Sequence, residues 1–329
     1  MEAPEMNYEQ LLNEYNQLKD EHERLSQEYE KLGAEYDNLS LAYQDSLEFY
    51  DRTVDAHAKL KIAHEDLKAA YDQLEETTAA KERIESELRI ARDIQMSMLP
   101  STFPSNNGLD LSAMMNPAKE VGGDLYGFLL VPANEQQGLG ERLYFCIGDV
   151  SGKGVPASLF MAQSARLFRT LAGEGYSPED IAVRMNNGLS EGNTNLMFVT
   201  MFIGLLYLDT GRLEICNCGH NPPLIDGDFM HIQYINRPLG IMGDCRFCGE
   251  TFDDVRGHQL LLYTDGLDEA ENRQHELFGD KRVLEIMANV SSDPSHKVIR
   301  MLKEAVEKHR DGAEPSDDLT LMCLKLEKI

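Results

Sequence analysis

Aspartates stand where apolar runs begin or end. Asp124 closes the sequence EVGGD (120–124), behind Gly122 and Gly123. Asp149 lies at the end of the run LYFCIGDV (143–150), and Gly152 and Gly154 follow it. Asp265 comes after LLYT (261–264) and before Gly266. Asp317 and Asp318 open a last apolar run, 319–326. Each carboxylate is expected at a stiff strand end, beside small residues that permit close approach. Brought together with no local basic partner, such groups are costly unless cations neutralise them. Hard oxygen ligands suit Mg2+ or Mn2+. Two such ions about 4 Å apart can bridge a hydroxide and stabilise in-line attack on a phosphoryl group. Singly, GGD or YTDG is an ordinary turn former, so the weight lies in the set.

The elements that must position these groups fall in residues 105–329. Runs 197–208 and 212–218, joined by Asp209-Thr210-Gly211, read as a hairpin, and 223–225 with 229–232, joined by Asp226-Gly227, as a second. Residues 143–150, 258–263 and 319–326 are further strands, and helical spacing occupies 156–171, 178–189, 281–288 and 294–309. Strands outnumber helices and come in hairpins, so the sheets should be mainly antiparallel, with helices covering their outer faces. The expected fold is an α+β sandwich with helices outside.

The first part of the chain is different. Pro4 is the only proline before Pro100, and Gly33 the only glycine before Gly108. So long a stretch without helix breakers predicts one continuous helix. Tyr8, Tyr15, His22, Tyr29, Tyr36, Tyr43, Tyr50, His57, His64 and Tyr71 recur every seven residues. Leu11, Leu18, Leu25, Leu32, Leu39, Leu60, Leu67 and Leu74 follow three residues behind members of that series, with Ser46 and Thr53 as the interruptions. This is the seam of a coiled coil, and a helix with such a stripe must bury it against another chain. A parallel homodimer is the default expectation, with the seam histidines packing as half-polar rings like the tyrosines. After Leu74 the phase falters, and a second stripe appears at Ile84, Leu88, Ala91, Ile94 and Met98. It is expected to pack against its twin or the C-terminal domain, and Pro100 ends the helix. The organisation expected is a rod over 1–80, a linker or transmitter helix over 81–104, and a globular domain over 105–329.

Composition narrows the classes of function. With 57 acidic and 31 basic residues the formal charge is −26, which argues against nucleic acid or an anionic membrane as partner. No run reaches the roughly 18 apolar residues of a membrane span, and no signal peptide opens the sequence. Six cysteines are too sparse for a disulfide scaffold, so reduced thiols in a cytoplasm are expected. Cys216 and Cys218 are expected on opposite faces of a strand, which argues against a zinc tetrad with Cys245 and Cys248.

In order, ARDIQMSMLP (91–100), EVGGDLY (120–126), GDVSGKGVPASL (148–159), FVTMFIGLL (198–206), CGHNPPL (218–224), LLYTDGLDEA (261–270), LFG (277–279) and SDDLTL (316–321) resemble the metal-dependent PPM protein phosphatases. More narrowly they resemble the bacterial branch of sporulation stage II protein E and the regulators of the general stress sigma factor. The resemblance implies an αββα sandwich with two Mn2+ or Mg2+ ions between its sheets, and hydrolysis of phosphoserine or phosphothreonine on proteins by metal-bridged hydroxide. It implies that Asp149 bridges both metals and the Val150 carbonyl ligates one. Asp265 and Asp317 complete the first metal, and Asp124 holds metal-bound water or a further ion. Asp149, Asp265 and Asp317 would thus be catalytic, and Asp318 would support the loop. The sequence departs from many relatives at Gly127, where they carry a second aspartate, and at Cys218, where alanine is usual. Lys153 is a candidate for attracting phosphate and equally reads as a solvated loop lysine. His220 is a candidate proton donor, though a structural turn histidine is the stronger reading. Relatives imply a phosphorylated anti-sigma-factor antagonist as substrate, and an activating partner on the coiled coil would supply the input. The rival reading is a catalytically weak scaffold in which the rod binds partners.

Overall fold

The computed structural model describes residues 8–104, 108–134, 138–290 and 292–328. The first seven residues of the expected rod, and residue 105 at the expected start of the globular domain, lie outside them. Helix α1 (Tyr8–Met98) is unbroken, as the scarcity of glycine and proline predicts. Along the rod the apolar seam stands bare in the single chain, with Leu18 66% and Tyr29 79% exposed. Surface pairs such as Arg24–Glu28 and Lys59–Asp55 add only a few tenths of a kcal/mol each. Such a helix gains its stability from packing of its stripe, not from propensity. By its contacts the chain divides into two compact units, one up to Lys81 and one from Glu82 onward.

The second unit holds two five-stranded sheets. One contains, in spatial order, β1 (Leu109–Asn116), β10 (Leu319–Leu326), β9 (Gln259–Tyr263), β6 (Leu224–Ile225) and β7 (Asp228–Phe229). The other contains β2 (Leu125–Val131), β3 (Arg142–Val150), β4 (Val199–Tyr207), β5 (Leu213–Cys218) and β8 (Glu250–Phe252). All neighbouring strands are antiparallel. Helices α2 (Val155–Glu174) and α3 (Pro178–Ser190) cover the second sheet, and α4 (Asp280–Val290) and α5 (Ser295–Arg310) the first. This is the expected αββα sandwich. The near-continuous apolar runs follow from burial on both faces. In β9 and β10, Leu260, Leu262, Met322 and Leu324 join the core between the sheets, while Leu261, Leu321 and Cys323 pack under α4 and α5.

The last turns of α1 belong to the second unit, which covers only part of the stripe expected there. Leu88, Ala91 and Arg92 are half-buried, and Gln95 and Leu99 are buried. Ile84, Ile94 and Met98 remain 57%, 55% and 49% exposed. The covered face, at positions 85, 88, 92, 95 and 99, continues the seven-residue phase of the rod. The domain therefore takes the old seam and leaves most of the new stripe uncovered within the chain.

Candidate metal centre

The two central strands set the position of Asp149. It is the penultimate residue of β3, paired with Thr200 of β4, and Gly148 before it pairs with Leu125 of β2. A Cβ on Gly148 would come within 2.7 Å of the Thr200 carbonyl, so only glycine fits that crossing. Asp124 immediately precedes β2, Asp265 follows β9 by two residues, and Asp317 and Asp318 precede β10. Strands from both sheets thus bring these carboxylates to one end of the sandwich.

Asp318 is the organiser of the group. Its carboxylate accepts from the amides of Ala118 and Gly123, both at 2.8 Å, and from Asp124 at 3.4 Å. A Cβ on Gly122 would run into that carboxylate, and one on Gly266 into the Asp318 carbonyl. The glycines of EVGGD and TDG are therefore steric requirements of close packing around Asp318. Gly123 approaches the Val150 carbonyl in the same way, since a Cβ there would lie 2.9 Å from that oxygen.

The remaining acids feel one another. Asp124 is buried, and its Oδ2 accepts from Thr264 Oγ1 at 2.7 Å. Burial first, then the charges of Asp149 and Asp318, raises its pKa well above the ordinary carboxylate range. Burial, followed by the charges of Asp265 and Asp317, pushes Asp149 up to about 7. Asp265 is raised by burial and by Asp317. The sequence reading that no basic group attends them is corrected at one position. Lys153 Nζ lies 2.8 Å from Asp317 Oδ2 and donates to the Ser316 carbonyl at 2.9 Å. Gly152 and Gly154, with φ of +89° and +76°, shape the loop that carries this lysine.

Among the described residues no three acids, histidines or cysteines are drawn tightly enough together to close on one ion. The chemistry of the donor set nevertheless fits a hard divalent cation. Asp149, Asp265 and Asp317 offer only oxygen, and the mutual repulsion of these half-buried groups is what such a cation relieves. Asp149 and Asp317 border a cleft of about 20 Å³, shared with Lys119, Gly122, Gly123 and Lys153, which is room for one water-sized body.

Both ring nitrogens of His220 are engaged by the protein. Its Nε2 faces the Tyr263 carbonyl at 3.1 Å, which can only accept, so Nε2 carries the proton and Nδ1 accepts from Thr200 Oγ1 at 2.9 Å. Burial lowers its pKa to about 4. The neutral ring ties β4 opposite Asp149 to β9 just before Asp265. Gly127 faces the core, where a Cβ would meet Cys146 Sγ at 3.2 Å and Phe168 at 3.3 Å. Cys216 and Cys218 are corrected as well. Residues two apart on a strand share a face, and their Sγ atoms lie 3.8 Å apart.

Sequence reasoning missed Gln95, whose side chain donates to the Gly122 carbonyl at 2.7 Å and accepts from the Gly122 amide at 3.1 Å. A polar residue at a seam position of α1 was the available signal. It also missed Thr264 beside Asp124, and Lys119 at the cleft.

The profile of the stage II sporulation protein E (SpoIIE) family matches residues 140–327. That stretch contains Asp149, Asp265 and Asp317 and leaves Asp124 outside. Protein IcfG of Synechocystis sp. is 28% identical over 270 residues, 72% of this chain and 41% of IcfG. Phosphoserine phosphatase RsbU of Bacillus subtilis is 26% identical over 252 residues, 74% of this chain and 71% of RsbU. The chain thus spans less than half of IcfG. The SiaA-PP2C domain of Pseudomonas aeruginosa superposes with a TM-score of 0.65 at 18% identity, covering 76% of this chain and 99% of that one, which shows a shared fold.

Proposed function

The chain belongs to the stage II sporulation protein E family, and from that membership we propose that it is a metal-dependent phosphatase acting on phosphoserine or phosphothreonine of a protein. The observation that supports this most is the half-buried set Asp149, Asp265 and Asp317 at the strand ends, with partial burial and those neighbours pushing Asp149 up to about 7. On this reading Asp149, Asp265, Asp317 and the Val150 carbonyl hold two Mn2+ or Mg2+ ions, with Asp124 behind them. Such ions supply Lewis acidity, neutralising phosphoryl oxygens and acidifying water.

The chain's own residues do the rest. Asp318 fixes the amides of Gly123 and Asp124, so the carboxylate of Asp124 stays in place. Lys153 sets its ammonium at the cleft, half exposed, where an arriving phosphate dianion is drawn in. His220 links β4 of one sheet to β9 of the other. The substrate we propose is a phosphorylated anti-sigma-factor antagonist. The bare seam of the rod supports a homodimer through its coiled coil, open to an activating partner. No described helix is long and apolar enough to cross a membrane, and the six unpaired cysteines suit a reducing cytoplasm.

The test is release of phosphate from a phosphoserine peptide by the purified chain with and without Mn2+. Metal-dependent release, abolished by chelator and in Asp149→Asn, is expected. Release that ignores both chelator and Asp149→Asn sinks the reading.

A further inference from the structure

Beside the metal-centre cleft runs a second, larger hollow of about 410 Å³. The first turns of α2 form one wall, with Val155, Leu159 and Phe160, and the segment between α3 and β4, with Asn193 and Met197, forms the other. Glu191 is its only charged lining residue among those described, although the whole chain carries −26. Leu159 is 67% exposed and Val155 47%, so this is an apolar strip on an acidic molecule.

The wall between α3 and β4 is built to hold still. Asn193 Nδ2 donates to the carbonyls of Met197 at 2.6 Å and Gly240 at 2.9 Å, and its Oδ1 accepts from the Met197 amide at 3.0 Å. The pinned loop displays Leu196 at φ +53° and 74% exposure. A leucine in the left-handed region is strained, and here the strain is not repaid by burial within the chain.

The hollow adjoins the metal centre. Val155 follows Gly154 of the cleft directly. Ser151 and Phe198 exchange two hydrogen bonds, at 2.9 Å each, one of them through the Ser151 hydroxyl. Met197 Cε lies 3.8 Å from the Cβ position of Gly152. A protein chain that sets a phosphoserine beside Lys153 can lay the residues on one side of it across this strip.

We infer that the groove between α2 and the Asn193–Met197 loop is the docking surface for the phosphoprotein substrate, taking apolar side chains that flank its phosphoserine. This rests on the phosphatase reading and adds where substrate selection occurs. An apolar strip suits the task, because it binds a flanking segment without adding repulsion between an acidic enzyme and a phosphorylated partner.

The test compares three probes in Mn2+: p-nitrophenyl phosphate, a phosphoserine peptide flanked by serine and glycine, and the same peptide flanked by leucines. Wild type should show a KM for the leucine peptide lower by about tenfold, the scale of burying one leucine. Leu159→Asp and Val155→Ser, both at lining positions, should lose that preference and keep wild-type turnover of p-nitrophenyl phosphate. Val155 and Leu159 are 47% and 67% exposed, so neither substitution removes core packing and a loss of preference cannot be blamed on misfolding. Equal KM for both peptides on wild type, or a preference intact in both variants, overturns the inference. Dissociation of a dimer by Leu159→Asp, seen in sedimentation, overturns it by assigning the groove to a second copy. If wild type hydrolyses none of the probes, the phosphatase reading fails, and the docking site goes with it.

Discussion

Replacing Asp149 by asparagine should make the metal-free protein more stable while removing its activity. In the folded chain burial, with the charges of Asp265 and Asp317, pushes the Asp149 carboxyl up from 3.8 to about 7. A carboxylate raised on folding favours the native state when protonated, so its cost appears above pH 3.8 and is relieved as pH falls below about 7. At neutral pH the gap corresponds to about 4 kcal/mol, at 1.36 kcal/mol per pH unit. The same repulsion raises Asp265, so deleting one charge recovers only a share, on the order of 2 kcal/mol. For a domain of this size that is a rise in Tm of about 4–8 °C. Calorimetry in chelator at pH 7 should show the rise and at pH 4 should show it vanish. Added Mn2+ should then lift wild type and leave Asp149→Asn nearly unmoved, since only a ligand bound by the native state raises Tm. A variant that melts below wild type in chelator, or gains as much from Mn2+, would refute the placement of Asp149 at the heart of a repelling cation site.

Residues 8–78 alone should be strongly helical and dimeric, and changing Leu25 and Leu32 to Asp should dissociate them; a helical monomer in sedimentation contradicts the seam. Burial holds His220 at about 4 against 6.5 unfolded, so its contribution is complete above pH 6.5 and is lost as pH falls toward 4. That swing is about 3 kcal/mol. Urea titrations of His220→Asn should show a shallower loss between pH 7 and 5, and an unchanged slope removes the assignment. Insertions of two, four and seven residues between Thr78 and Ile84 rotate the linker by about 200°, 40° and −20°. Activity should follow phase, with the seven-residue insert nearest wild type; equal turnover in all three makes the rod a tether.

The strands that end in chemistry were legible because they are buried on both faces. Runs such as 143–150 and 319–326 stay apolar until a glycine or aspartate stops them. β1 and β2 were not seen: LDLSAMMN (Leu109–Asn116) alternates imperfectly, and LYGFLLV (Leu125–Val131) has Gly127 inside it. β8 has three residues and no periodicity to read. The aspartates were legible as a set, but their tuning was not. Lys153 and Asp317 are 164 residues apart, and Gln95 and Gly122 are 27 apart, so only the fold joins them. The face of α1 that docks on the domain was not legible for a related reason. Leu88 and Gln95 are turned inward by docking on the domain, with Gln95 held by Gly122, and apolar spacing carries no sign of a polar anchor.

The most direct measurement is an anomalous-scattering map from crystals of the chain grown with Mn2+. The account predicts manganese peaks bounded by the carboxylates of Asp149, Asp265 and Asp317 and the Val150 carbonyl, absent in crystals of Asp149→Asn. Manganese bound elsewhere with these carboxylates uncoordinated, or peaks unchanged in Asp149→Asn, would contradict it.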